Sequence, residues 1–132
     1  LSRECADGII DVSTVDDMYE ILAGCDAFLT DYSSAAFDAM VMKIPIFLYC
    51  DDYVEYENDR GGLLWKLEEL PFPMGQTQDE LVKKIEEFDS TDYEKEIEKL
   101  YKETGMIEDG KASNNVVDYV EKLVRYEENL YF

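Results

Sequence analysis

The chain has 132 residues and carries 32 acidic against 12 basic side chains, which gives a formal net charge of −20. The length suits one domain with a buried core. The hydrophobic content of 46% and the ten tyrosines exclude a disordered chain. The acidic excess makes nucleic acid and anionic membrane poor partners for the surface as a whole. We expect neither a membrane span nor an export signal.

Histidine is absent from the sequence, so the usual general base near neutral pH and the commonest metal ligand are both missing. Cys5, Cys25 and Cys50 are widely spaced and form no C-x-x-C pair. This pattern is typical of reduced thiols in a cytosolic protein rather than of a disulfide framework or a zinc site. We therefore expect no metal site. Residues 128–132 spell most of a protease tag site and are interpreted as a tag remnant.

The first half of the chain alternates between short apolar runs and amphipathic stretches. Strands are predicted over 8–12, 27–30 and 44–49, and the last of these is apolar enough to be buried on both faces. A capping box of Ser13 with Asp16, or of Thr14 with Asp17, would start the first helix. The two helices between the strands are predicted from the apolar stripes Val15, Met18, Tyr19, Leu22 and Ala36, Phe37, Met40, Val41.

This β-α-β-α-β order with short connections is typical of a doubly wound α/β fold with a parallel sheet. Right-handed crossovers bring the carboxyl ends of such strands to one edge of the sheet, where ligands bind. Function is therefore expected in the loops at Ser13–Thr14, at 31–34 and from residue 51 onward.

The second half has a different character. Residues 51–62 are acidic and tyrosine-rich, which indicates a long loop or a short helix, and the two prolines in 70–75 favour irregular or edge structure. Additional carboxyl-terminal helices are predicted to begin at the T-x-x-E boxes of Thr77 and Thr91 and near Ala112.

The strongest local candidate for a binding site is the stretch 30–36, where a strand ends at Thr30, a turn follows, and a helix begins. Backbone N–H groups at a helix start, together with the hydroxyls of Ser33 and Ser34, can bind phosphate without a lysine. Asp31 lies in the same turn. The alternative is that Ser33 or Ser34 only caps the helix, since serine is favoured there without any ligand.

Four further residues are candidates for the same site, each with an ordinary alternative. Ser13 would lie at a similar turn one strand earlier, where capping alone explains it. Asp38, one turn into the second helix, could bind a ribose diol or be a solvated helix residue. Arg60 precedes two glycines in an acidic loop and could pair with phosphate or lie free at the surface. Ser113 follows another turn and is a possible cap or ligand donor.

Together these segments resemble the carboxyl-terminal part of the CDP-glycerol glycerophosphotransferase family, whose members build teichoic-acid and related polyol-phosphate polymers. The likeness covers nearly the whole chain before the tag remnant. The segments that carry it are 16–22, 25–34, Phe37-Asp38, 44–49, 53–57, Arg60-Gly61, 69–71 and Asp109-Gly110-Lys111-Ala112-Ser113.

The resemblance implies a GT-B architecture of two Rossmann-like domains, in which the carboxyl-terminal domain binds the nucleotide donor. It places residues 1–127 in part of that domain. By this analogy Ser33 and Ser34 contact the donor pyrophosphate, Asp38 lies near the ribose, and Arg60 and Ser113 border the pocket. The implied reaction moves glycerol phosphate, or a related polyol phosphate, from a CDP-linked donor to an acceptor hydroxyl and releases CMP. No further cofactor is implied.

The chain departs from the family in length and in lacking the family's catalytic histidines. We therefore assign no catalytic residue, interpret the chain as a fragment of the donor site, and expect it to be inactive alone. The family works at the inner face of the bacterial cell membrane on lipid-linked acceptors, so membrane contact is expected only through a full-length enzyme. Two alternatives stay open: a GT-B glycosyltransferase that uses a nucleotide sugar, and a noncatalytic α/β binding module.

Overall fold

The computed structural model describes residues 8–128. The chain divides into two compact units, with the boundary between Ser90 and Thr91. In chain order the elements are α1 (Met18–Leu22), β1 (Phe28–Thr30), α2 (Ala35–Val41), β2 (Ile46–Tyr49), α3 (Tyr53–Arg60), the 3₁₀ turn Leu67–Glu69, β3 (Met74–Gly75), α4 (Gln78–Glu86), α5 (Ser90–Thr104) and α6 (Ala112–Glu128).

A parallel sheet with the strand order β1–β2–β3 forms the centre of the first unit. Helix α2 packs against β1 and β2, and α4 packs against β2 and β3. Strand β2 is buried as its apolar sequence predicts: Ile46, Phe47 and Leu48 are at most 5% exposed. Parallel strands need such cover because both of their faces are apolar. The predicted α/β fold with a parallel sheet is confirmed.

The prediction of a strand over 8–12 is wrong. Residues 9–12 form no strand, and the side chain of Ile10 is 83% exposed. β-Branched residues favour a strand only where a neighbouring strand and an apolar layer accept them. The segment instead turns back on itself: the N–H of Val15 donates to the carbonyl of Val12, and Ser13 donates to the Asp11 carboxylate.

The segment with two prolines ends in the edge strand β3, which agrees with the prediction of irregular or edge structure over 70–75. Pro73 precedes this strand and accepts a hydrogen bond from the N–H of Leu48 at 2.9 Å. A proline fits here because its carbonyl joins the ladder to β2, while the N–H that it lacks is not needed at an edge.

The helix starts agree with the sequence signals only in part. Thr77 caps α4 as predicted, accepting from the N–H of Glu80 at 3.2 Å. Helix α1 is capped by Asp17, which accepts from the N–H of Tyr19, so both predicted boxes with Ser13 and Thr14 are wrong. Helix α5 begins at Ser90, one residue before the predicted start, and α6 begins at Ala112 as predicted.

The connection from α2 to β2 is a Schellman motif with an unusual residue. The N–H of Lys43 donates to the carbonyl of Met40, and the N–H of Ile44 donates to that of Ala39. Lys43 has φ 61°, the left-handed conformation that glycine normally supplies at this position. The motif redirects the chain straight into the buried strand β2.

Gly75 sets the distance between β3 and α4. A Cβ atom at this position would lie 2.5 Å from the backbone nitrogen of Leu81 and 2.7 Å from its Cα. We expect Gly75→Ala to lower the free energy of unfolding by about 1–3 kcal/mol, because the strand and helix must move apart. In Gly24→Ala the nearest atom to the new Cβ would be 3.5 Å away, so the free energy of unfolding should change by no more than about 0.5 kcal/mol. Urea unfolding followed by circular dichroism measures the free energy of unfolding of both variants. Equal losses of stability would contradict the close packing of Gly75 against α4.

The left-handed Lys43 predicts a stabilising substitution. We expect Lys43→Gly to raise the free energy of unfolding by about 0.5–1 kcal/mol, because relief of backbone strain exceeds the entropy that glycine adds to the unfolded chain. Lys66 has an ordinary φ of −67° and is also exposed. Lys66→Gly, which removes the same charge, should lower stability by up to about 1 kcal/mol. The same urea measurement compares the pair, and a loss of stability in Lys43→Gly would refute the prediction.

Candidate functional site

The turn from Asp31 to Ser34 joins the end of β1 to the start of α2, where the sequence predicts a phosphate site. Most of the N–H groups at this helix start already have local acceptors. Ala35 donates to the Ser33 hydroxyl at 3.3 Å, Ala36 to the Ser33 carbonyl at 3.2 Å, and Phe37 to the Ser34 carbonyl at 3.0 Å. The side chain of Ser34 makes no capping hydrogen bond. The groups that this turn offers to a ligand are therefore mainly its two exposed hydroxyls.

The turn forms one side of a pocket of about 210 Å³. Asp31, Ser33 and Ser34 supply polar groups, and the rest of the lining is mostly apolar. Phe37 contacts two other rings, with its centroid 5.7 Å from that of Trp65 and 5.8 Å from that of Phe72. The remaining lining residues are Tyr32, Ala36, Leu48, Leu63, Leu64, Leu67 and Leu70. Such a pocket has room for a flat ring beside polar groups.

Tyr32 ties this turn to the segment after β2. Its ring stacks on that of Tyr56 with centroids 3.7 Å apart and planes 10° apart, and it lies 6.4 Å from the ring of Tyr53. Its hydroxyl donates to Oδ1 of Asp52, the residue before α3, at 2.7 Å. Burial raises the pKa of the Tyr32 phenol, and the hydrogen bond to Asp52 raises it further. Tyr32 therefore stays protonated and keeps donating at neutral pH.

Arg60 ends α3, with Gly61 in the left-handed conformation as its C-cap. Its guanidinium carbon lies 5.6 Å from the centroid of Tyr56, over the ring face. This cation–π contact connects Arg60 to the same stack of rings that contacts the turn. Arg60 is exposed and is not among the residues that line the pocket. Whether it borders a bound donor stays a prediction.

Cys50 lies buried beneath the site, whereas Cys25 is exposed, and Cys5 lies outside the described residues. Burial raises the pKa of the Cys50 thiol to about 11. A hydrogen bond with Tyr32 lowers it, while the carboxylates of Asp31, Asp51 and Asp52 raise it. Cys50 is thus a neutral core thiol at physiological pH. The carboxylates near it give this edge of the sheet a negative electrostatic potential.

The other predicted site residues lie outside the pocket lining. Thr30 ends β1. Asp38 is exposed and accepts a hydrogen bond from the Tyr19 hydroxyl at 3.2 Å. Ser13 donates to the Asp11 carboxylate at 2.6 Å and precedes α1 by several residues, so the strand-to-helix turn predicted around it does not exist. Ser113 belongs to the second unit, in the first turn of α6.

The sequence interpretation missed the apolar wall of the pocket. Leu63, Leu64 and Trp65 come from a segment without regular structure, where no periodicity marks a buried face. The available signal was the apolar run itself, which directly follows Gly61-Gly62 in an otherwise acidic stretch. Tyr32 and Tyr56 were also not singled out as parts of the site.

No group of three or more Cys, Asp or Glu side chains in the described part of the chain is arranged to hold a metal ion. Among the same residues, no helix is both long and apolar enough to cross a membrane.

The comparisons with known proteins agree on one family. The CDP-glycerol:poly(glycerophosphate) glycerophosphotransferase family matches residues 2–122. The chain is 31% identical over 119 residues to the teichoic acid poly(glycerol phosphate) polymerase of Staphylococcus epidermidis, covering 88% of this chain and 16% of that protein. It is 32% identical over 119 residues to the teichoic acid glycerol-phosphate transferase of Staphylococcus aureus, covering 88% and 31%.

Among solved structures, the chain is similar to a His-to-Ala variant of the wall teichoic acid polymerase TagF. The TM-score is 0.65 at 30% identity, over 89% of this chain and 30% of that one. This likeness supports the predicted Rossmann-like, GT-B type of fold. The chain thus spans less than a third of these relatives. Because the family matches most of its residues, the chain belongs to the CDP-glycerol:poly(glycerophosphate) glycerophosphotransferase family.

Proposed function

We propose that this chain supplies part of the donor site of a transferase in teichoic-acid-like polymer synthesis. The transferase moves glycerol phosphate, or a related polyol phosphate, from a CDP-linked donor to an acceptor hydroxyl. In this reaction the acceptor oxygen bonds to the phosphorus of the polyol phosphate, and the bond from that phosphorus to the CMP oxygen breaks. The family match over residues 2–122 and the names of the relatives support this proposal.

The observation that carries the proposal is the pocket in which a serine turn faces an apolar, aromatic wall. A CDP-linked donor combines an anionic diphosphate with a flat, uncharged ring. Hydroxyls of Ser33 and Ser34 suit the diphosphate, since hydrogen bonds to charged groups are the stronger ones. The wall with Phe37 and Trp65 suits an aromatic ring.

The remaining roles rest on the family resemblance. We assign Asp38 to the ribose and Arg60 to the border of the donor site, as the family resemblance implies, while the role of Ser113 stays a prediction from the sequence. Asp31, between Thr30 at the end of β1 and the two serines, belongs to the lining of the same pocket. Ser13 is left out, because its hydroxyl is bound to Asp11. None of these residues is assigned as the base that takes the proton of the acceptor.

The acceptor and the place of action belong to the same proposal. Two relatives of this chain are named as a teichoic acid poly(glycerol phosphate) polymerase and a teichoic acid glycerol-phosphate transferase. We propose that the acceptor is lipid-linked and that the enzyme works at the inner face of the bacterial cell membrane. The acceptor would be bound by parts of the enzyme other than the residues assigned above.

Donor specificity tests the proposal directly. We expect calorimetric titration of this chain to show binding of CDP-glycerol or CDP-ribitol, with CMP as a competitor. UDP-glucose should bind more weakly. A preference for UDP-glucose would instead favour a glycosyltransferase that uses a nucleotide sugar. A chain that is folded by circular dichroism and binds none of these compounds would favour a noncatalytic module.

The two serines provide the mutational prediction. We expect Ser33→Ala/Ser34→Ala to raise the Kd for CDP-glycerol about a hundredfold or more, because each of the two lost hydrogen bonds to a charged group costs about 1.5 kcal/mol or more. Ser90→Ala, at an exposed serine that begins α5, is the matched control and should leave the Kd unchanged. An unchanged Kd in the double variant would show that the serines only shape the helix start.

A further inference from the structure

Tyr32 lines the candidate site, and its side chain contacts α3 and the residue before that helix. It precedes Ser33 directly, and its ring lies on that of Tyr56 in a nearly parallel stack, with centroids 3.7 Å apart. The Tyr53 ring lies 6.4 Å away at 24°. Both partners belong to α3, the helix that follows β2. The ring is half-buried, as a fixed side chain should be.

A hydrogen bond fixes the Tyr32 side chain in addition to the stacking contact. The Tyr32 hydroxyl donates to Oδ1 of Asp52 at 2.7 Å, a short distance typical of a bond to a charged acceptor. Asp52 is the residue from which α3 begins. Tyr32 is therefore held at its face by one turn of α3 and at its tip by the start of the same helix.

Tyr32 and the two serines that follow it contact different helices. Hydrogen bonds from Ala35, Ala36 and Phe37 tie Ser33 and Ser34 to the first turn of α2. Tyr32 ties the same turn to α3. Because consecutive Cα atoms are about 3.8 Å apart and the peptide plane is rigid, a shift of Tyr32 moves Ser33 with it.

We propose that Tyr32 is a positioning residue, which holds the hydroxyls of Ser33 and Ser34 in place for the donor diphosphate through its stack on Tyr56 and its hydrogen bond to Asp52. The proposal rests on the proposed function, since it assigns a role within that donor site. Small misplacements of binding groups are costly, so Tyr32, although it also lines the pocket, affects affinity chiefly by fixing the turn. Helix α3 thereby becomes part of the donor site, although its own residues are not in the pocket lining.

The test compares the two members of the stack. We expect Tyr32→Leu and Tyr56→Leu each to raise the Kd for CDP-glycerol by about three- to tenfold, the range that loss of an aromatic pair predicts. The double variant should be little worse than either single variant, because both remove the same contact. Tyr32→Phe keeps the stack but removes the hydrogen bond to Asp52, so it should raise the Kd measurably but by less than Tyr32→Leu. Tyr119→Leu, at a tyrosine that is 64% exposed on α6, is the control.

A second probe separates positioning from general damage. Cytidine has no phosphate, so its affinity should change little in Tyr32→Leu and Tyr56→Leu while that for CDP-glycerol falls. Thermal unfolding by circular dichroism shows that the variants are folded at the temperature of titration. Should Tyr32→Leu unfold, Tyr56→Leu carries the test alone, since it leaves the turn's own sequence intact.

Three results overturn the inference. Wild-type affinity in Tyr56→Leu, additive losses in the double variant, or equal losses for cytidine and CDP-glycerol would each show that Tyr32 does not act through the stack on the phosphate site. In all three cases the wild-type chain still binds CDP-glycerol and the proposed function stands. A folded wild-type chain that binds no CDP-linked compound overturns the proposed function, and this inference with it.

Discussion

Strand β2 is hydrogen-bonded along both edges and buries apolar side chains on both faces, and this double burial sets the geometry of the first unit. Its register with β1 places Thr30 opposite Leu48. The two strands therefore end at nearly the same level, and the turns that follow them lie side by side. That alignment brings Tyr32 within hydrogen-bonding distance of Asp52, 20 residues later. The candidate site is thus a consequence of how one buried strand pairs.

Those parts of the fold that depend on local chemistry were predictable from the sequence. The run 44–49 is apolar without interruption, and the cap at Thr77 is a short-range signal, so β2 and α4 lie where they were expected. The segment 8–12 has the composition of a strand and is not one, because a strand also needs a partner. Composition alone does not show whether a neighbouring edge is available.

The candidate site, like the fold, has one part that was predictable from the sequence and one part that was not. The serine turn was predictable because strand end, hydroxyls and helix start follow one another in sequence. Its partner Tyr56 and the wall residue Trp65 were not, because their contacts with Tyr32 and Phe37 depend on strand register and on the path of an irregular segment. Non-periodic apolar residues give no sign of which surface they will cover.

Electrostatics limit how this site can hold an anion. Five cations of the described residues pair with carboxylates on α4 to α6 or in the turn before α6, in exposed ion pairs that contribute little to stability. Asp31, Asp51 and Asp52 are close enough to Cys50 to raise the pKa of its thiol, at the edge of the sheet where the serine turn lies. Long-range attraction therefore does not favour a phosphate here. In this part of the donor site, affinity must come largely from hydrogen bonds of short range, which makes the placement of each hydroxyl important.

The pocket also contains the chain's single tryptophan. Trp65 lines the pocket, is 36% exposed, and lies against Phe37. Indole emission depends on the polarity and the stacking partners around the ring, and here all of it comes from one position. The protein consequently carries its own optical probe, placed by the fold at the wall of the candidate site, so that occupancy can be followed without attaching a dye.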